Sequence, residues 1–229
     1  MLNDEQARRA IYLDFEGEGQ RRSGEQPTPI LGGVRVDGVY APTLLHPSLG
    51  GAAKSRGWAH VPLPDYLAAI HDRADFENRK IVFFTSTESD LFNNQDIDIA
   101  NSGFDLRGPA KRSGLYRDVW EEFKSNQRRF RSSDTSQSAR RNIRTGSFGL
   151  LSLIAEQAGM QRPQSYGAGK IGQWIRTVLE QADRKSSYDL WSPGGKRKLT
   201  SIVKHNEHDC KATQFVLEHL LRSGPTSVS

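Results

Sequence analysis

Ala10-Ile11-Tyr12-Leu13-Asp14-Phe15-Glu16-Gly17 is the stretch on which the reading of this chain turns. It is rich in β-branched and aromatic residues and ends at a glycine, the pattern of a short strand with a polar end. Asp14 and Glu16 occupy alternate positions, so both carboxylates point to the same face near the strand's end. Two carboxylates that close repel each other unless a cation lies between them. Hard divalent ions such as Mg2+ or Mn2+ are the natural partners, because they take oxygen ligands. A pair of edge charges facing solvent is the plainer reading of the same two residues.

Outward from that strand, 30–36 reads as a second strand, Asp37-Gly38 as a hairpin turn, and 39–45 as the returning strand. Residues 64–73 have helical spacing, with Tyr66, Leu67, Ile70 and Ala74 on one face. The segment 80–85 is a continuous apolar strand of the kind buried on both faces. Thr85 or Thr87 then caps a helix that begins near Glu88 and carries Leu91 and Phe92. Glu88, at this strand-to-helix turn, either reaches the sheet end where Asp14 and Glu16 point or serves as a first-turn acid favoured by the helix dipole.

Beyond Gly103 the periodicity becomes helical, over 114–129, 147–157, 170–182 and about 198–222. The last of these aligns Leu199, Ile202, Val203, Asn206, Cys210, Thr213, Leu217 and Leu220 in one stripe. Beside the stripe, His205 and Asp209 are four residues apart and share a helix face, so an imidazole and a carboxylate converge. A solvated polar shoulder on the helix is the competing account. Strands first and helices later, with a helix between the third and fourth strands, predict a single α/β domain spanning 1–229, with a helical C-terminal half. Residues 223–229 read as a tail.

The composition narrows the function. The 229 residues carry 32 Lys+Arg against 27 Asp+Glu, a formal charge of +5. Seven basic residues, Lys124, Arg128, Arg129, Arg131, Arg140, Arg141 and Arg144, fall between 124 and 144 against Asp134 alone, so that segment is +6 and the remainder −1. The basicity is local. Its serine-rich middle, 131–140, reads as a mobile basic loop able to gather phosphates. Lys196 and Arg197, near the start of the last helix, oppose its dipole and suggest an anion nearby. The single cysteine, Cys210, excludes an internal disulfide and a Cys-rich zinc module. An opening without an apolar core, and no apolar run long enough to span a bilayer, give the expectation of a cytoplasmic protein without a membrane partner. Leu49-Gly50-Gly51-Ala52-Ala53-Lys54-Ser55 lacks the glycine spacing of a phosphate loop and reads as an ordinary loop.

Taken together, the strand Tyr12-Leu13-Asp14-Phe15-Glu16-Gly17, the run Ile81 through Glu88 followed by Leu91-Phe92, the segment Gly149 through Gly159, and the closing Ile202-Val203-Lys204-His205-Asn206-Glu207-His208-Asp209 resemble the ribonuclease H-like exonucleases of the DEDD type. The predicted RecB-associated branch of that superfamily is the nearer likeness, and it covers most of the chain in the right order. The resemblance implies a mixed sheet of three antiparallel strands followed by parallel strands, flanked by helices. It implies a 3'-5' exonuclease acting on single-stranded DNA or RNA, with two Mg2+ or Mn2+ ions held by Asp14, Glu16, Glu88 and Asp209. It places His205 at the position of the residue that orients or deprotonates the attacking water. Arg128, Arg129, Arg131, Arg140, Arg141, Arg144, Lys196 and Arg197 are the expected contacts to the nucleic-acid backbone. Two departures stand out: Glu88 where the exonucleases usually have Asp, and His205 where this branch often has Tyr. They leave a second expectation open, a catalytically weakened module of the same fold that binds nucleic acid or a partner protein.

Overall fold

The computed structural model describes residues 2–18, 28–117, 119–120, 149–161, 163 and 170–223. The basic segment, including Arg128, Arg129, Arg131, Arg140, Arg141 and Arg144, and the tail from 224 onward lie outside the described residues.

Among the described residues, six strands form one mixed sheet: β1 (Ile11–Glu16), β2 (Leu31–Val36), β3 (Val39–Leu44), β4 (Ala59–His60), β5 (Ile81–Phe83) and β6 (Gly103–Asp105). Their spatial order is β4-β3-β2-β1-β5-β6. β1 pairs antiparallel with β2, and β2 with β3. β5 runs parallel to β1, and β6 parallel to β5. The sheet is therefore antiparallel on one side of β1 and parallel on the other, which is compatible with the arrangement expected from the sequence. The edge strand β4, parallel to β3, is an addition to that expectation. Between β2 and β3 the chain turns at Asp37 (φ 50°) and Gly38 (φ 83°). Two positive φ values in a two-residue loop match the right-handed twist of the strands, which is why Asp-Gly marks this hairpin.

Strand parity divides the core. Ile11 and Leu13 point to one face, where they meet Tyr66, Leu67 and Ile70 of α3 (Leu63–Phe76) and Phe92 of α4 (Ser86–Asn93). Tyr12 points to the other face and packs with Ala212, Val216 and Leu217 of the C-terminal helix. Asp14 and Glu16 share the parity of Tyr12, so the sequence pattern itself aims them at that helix.

That helix, Pro193–Ser223, is 31 residues long and dominates the second face. At 1.5 Å per residue it extends about 46 Å. Its first half is buried against Ile171, Ile175 and Val178 of the helix Ile171–Arg184 and against β2 and β3 through Leu31 and Leu44. Its last turns meet Leu151, Ile154 and Ala155 of the helix Leu150–Gln157. The helix begins five residues before the expected start. Ser192 Oγ accepts the Gly195 N–H at 3.1 Å, and Pro193 occupies the first turn, where its missing N–H costs nothing. The pair Gly194-Gly195 hid this start from a reading by helix propensity.

The stretch expected to be a loop at 49–55 is instead the helix α2 (Gly50–Arg56). Ala52 and Ala53 bury against Leu49, Tyr188 and Trp191, and this burial outweighs the poor helix propensity of two glycines. Trp58 packs against the same cluster with Arg56 over its ring at 4.9 Å. Among the described residues, no helix is long and apolar enough to cross a membrane.

Candidate metal centre

The C-terminal helix crosses the sheet over β1 and β2, and the crossing sets the site. Glu16, in the last position of β1, is buried to 8% exposure. His205 and Asp209, one turn apart on the helix, close over it. His205 Nε2 lies 3.7 Å from Glu16 Oε1 and 3.5 Å from Asp209 Oδ2. One ligand atom from each of Glu16, His205 and Asp209 falls within 4.8 Å of the others.

Asp14 stands two residues earlier on the same strand face. Asn206, fully buried, donates from Nδ2 to Asp14 Oδ2 at 2.7 Å and to the Asp14 carbonyl at 3.0 Å. Tyr40 on β3 donates its hydroxyl to Asn206 Oδ1 at 2.8 Å. Among the described residues, Asp14 has no Lys or Arg partner, and the one basic side chain within ion-pair distance of Glu16 is His205.

The electrostatics follow from that composition. Burial, followed by the charges of Glu16, Asp209 and Glu88, pushes the Asp14 carboxyl well above the ordinary range, against the pull of the Asn206 hydrogen bond. Burial pushes Glu16 the same way, with Asp209 and Glu88 adding to it. Burial lowers the His205 imidazole below its ordinary value, partly opposed by the Asp209 carboxylate, so neutral imidazole is favoured. Among the described residues, Asp14 and Glu16 are held out of water with no Lys or Arg beside them, and a divalent cation would neutralise such a pair.

Glu88 occupies a different position from the other four expected site residues. It is buried at the third residue of α4, and its Oε2 accepts from the Thr85 N–H at 3.2 Å and from the Thr85 hydroxyl. Thr85 returns a cap to the helix N-terminus, completing a capping box. The capping reading of Glu88 is the one its hydrogen bonds support, while its charge adds to the upward push on Asp14 and Glu16. Burial brings its own carboxyl up to about 7, with Asp105 at the end of β6 adding to the rise. It lies outside the close cluster of Glu16, His205 and Asp209.

The donor set fits a hard divalent ion. Among the described residues, Glu16 Oε1 is buried and accepts no hydrogen bond, which leaves a lone pair free beside His205 and Asp209. Glu16 and Asp209 would supply oxygen, and Asp14 a further carboxylate from the same strand face, with the His205 imidazole beside them.

Lys196 has partners close by in the fold. Its Nζ donates to the Asp189 carbonyl at 2.9 Å and lies 5.3 Å from the centre of the Tyr188 ring. Nine residues before His205, it is half a turn round the helix from the cluster and about 14 Å along the axis. Arg197 is exposed beside it. Lys198 is taken up by Thr177 Oγ1 at 3.0 Å.

Asn206 and Tyr40 are the site-shaping residues that the sequence reading did not assign. The available signal was an asparagine inside the apolar stripe of the last helix, where a buried amide needs partners. Comparison of the chain with protein-family models, with curated proteins and with solved structures finds no match to any of them.

Proposed function

We infer that this chain is a divalent-cation-dependent nuclease with a ribonuclease H-like arrangement, acting on single-stranded DNA or RNA from the 3' end. The carrying observation is the meeting of Glu16 with His205 and Asp209, beside Asp14, where the last helix crosses β1. The order of antiparallel strands followed by parallel ones supports the same reading. Asp14, Glu16 and Asp209 would hold Mg2+ or Mn2+. Such an ion supplies Lewis acidity, neutralising phosphate charge and making a water more acidic. His205, kept neutral by burial, is suited to accept a proton from the attacking water. The imidazolium so formed would lie between the Glu16 and Asp209 carboxylates, which stabilise it. The surrounding apolar packing keeps these groups out of bulk water and so strengthens their charges.

The test is incubation of the full chain with end-labelled single- and double-stranded DNA and RNA, in Mn2+, in Mg2+ and in chelator. Cation-dependent shortening of the single strands, with the 3' label released first, is the expected result. Binding without any cation-dependent cleavage would remove the nuclease reading.

The place of Glu88 in a capping box favours a second reading, a catalytically weakened module of the same arrangement that binds nucleic acid or a partner protein. Glu88→Gln separates the two. Glutamine keeps the cap, since its side-chain oxygen still accepts from Thr85, but it removes the charge. For the nuclease, this substitution is expected to lower the Mn2+-dependent rate by roughly tenfold or more while leaving the fold intact. An unchanged rate would assign Glu88 to the cap alone.

A further inference from the structure

Asn206 is the polar residue most completely enclosed by the fold near the cluster, and every group on its amide is used. Asp14 presents two acceptors to it, the carboxylate Oδ2 at 2.7 Å and the backbone carbonyl at 3.0 Å. Only the amide nitrogen satisfies acceptors, so the amide oxygen must turn the other way. There it receives the Tyr40 hydroxyl at 2.8 Å. The orientation is therefore fixed from both ends.

The space for this amide is made by an absent side chain. Gly33 on β2 pairs directly with Asp14 across the sheet. A Cβ on Gly33 would lie 1.6 Å from Asn206 Oδ1 and 2.8 Å from the Tyr40 ring. Any residue but glycine at position 33 would thus expel the amide from its seat. The Cys210 thiol, one turn after Asn206, meets the Gly33 carbonyl at 3.4 Å and seats the helix on the same point of the strand.

We propose that Asn206, seated over Gly33 and oriented by Tyr40, is a positioning residue that fixes the Asp14 carboxylate for cation binding. Asn206 Nδ2 occupies one lone pair of Oδ2 and ties the side chain to its own backbone. The other carboxylate oxygen, Oδ1, is left as the atom presented to a cation. The same helix turn that brings His205 and Asp209 to the cluster brings this clamp, so the order His-Asn-x-x-Asp carries both functions. This inference rests on the cation-site reading of the cluster and adds to it the residues that set one ligand's geometry.

The test is Mn2+ binding to the full chain, followed by calorimetry and by the loss of the free-ion electron paramagnetic resonance signal, with thermal melting in chelator alongside. Wild type, Asp14→Asn, Asn206→Leu, Tyr40→Phe and Gly33→Ala are compared. Loss of an outer partner of a ligating carboxylate weakens metal binding by about 10–100-fold, the effect expected for Asn206→Leu and Gly33→Ala. Tyr40→Phe keeps the ring and removes only the hydroxyl, and is expected to weaken Mn2+ binding about three- to tenfold. A role in packing alone would lower the melting temperature and leave the affinity of the folded protein unmoved. Folded Asn206→Leu and Tyr40→Phe with wild-type affinity would overturn the proposal. If Asn206→Leu does not fold, Tyr40→Phe decides by itself. Wild type that binds no Mn2+, or binds it no better than Asp14→Asn, would overturn the cation-site reading and this proposal with it. Wild type and Asp14→Asn that differ, beside clamp variants that do not, would overturn the clamp alone.

Discussion

Asp14→Asn and Asp209→Asn are each expected to reduce divalent-cation-dependent cleavage by about a thousandfold, and Asp14→Asn to raise the melting temperature of the metal-free protein. The first effect follows from the cation's share of the work. Neutralising phosphate charge is worth several kcal/mol, and each decade of rate corresponds to about 1.4 kcal/mol, so loss of one charged ligand removes about three decades. The second follows from what the carboxylate does without a cation. Burial and the neighbouring charges of Glu16, Asp209 and Glu88 all disfavour a charged Asp14. Asparagine has the same shape, still accepts the Asn206 amide through its oxygen, and carries no charge to be repelled. Activity falling as stability rises is the signature of a group retained for its chemistry. Cleavage of labelled single strands in Mn2+, with melting in chelator, checks both halves. Undiminished cleavage in both variants would end the assignment. Lost cleavage accompanied by a fall in melting temperature would instead assign Asp14 a structural role.

The sequence made part of this site legible because two short periodicities are sufficient for it. Alternation along β1 places Asp14 and Glu16 on one face, and a spacing of four places His205 and Asp209 on one helix face. Both relations hold in the structure. The meeting of the two pairs, across some 190 residues, has no local signal. It depends on a helix crossing angle, set by Gly33, by the Cys210 thiol on its carbonyl, and by the burial of Leu199, Ile202 and Val203. Asn206 was visible in the apolar stripe, but its partners were not, because Tyr40 and Gly33 join it only through the antiparallel pairing of β2 with β1 and β3. Glu88 shows the reverse difficulty. Thr-x-x-Glu is a complete local capping signal, and it masks the longer-range coupling of that carboxylate to Asp14 and Glu16. For Lys196, the local dipole argument carries no signal of the Tyr188 ring and Asp189 carbonyl that the fold brings to it.

In chelator, the stability of the wild-type protein is expected to fall between about pH 5 and about pH 8, and Mn2+ is expected to restore more at the upper end than at the lower. Asp14, Glu16 and Glu88 all have folded-state values above their ordinary ones. A carboxyl with a raised folded value holds its proton in the native state where the unfolded chain has released it. Its stabilising contribution is complete below the unfolded value and lost as pH rises through the folded one. For Glu88 that window runs from 4.5 to about 7, a loss on the order of 3 kcal/mol once the upper limit is passed. His205 acts in the opposite sense. Its value is lowered, so it stabilises above its ordinary 6.5 and loses that contribution as pH falls through its folded value. One imidazole set against three carboxyls leaves the acid side favoured. At more acidic pH, protonation of Asp37, whose carboxyl is held below its ordinary value by its hydrogen bonds with Arg79, bounds the trend. Melting curves across this range, at about 2–4 °C per kcal/mol for a chain of this size, resolve the slope. Combining Asp14→Asn with Glu88→Gln should flatten it and shrink the Mn2+ effect. A wild-type stability that stays level or climbs from pH 5 to 8 in chelator, with a Mn2+ increment independent of pH, would show that these carboxylates are not held against their charge. The case for a cation at the crossing of β1 and the last helix would then fail with it.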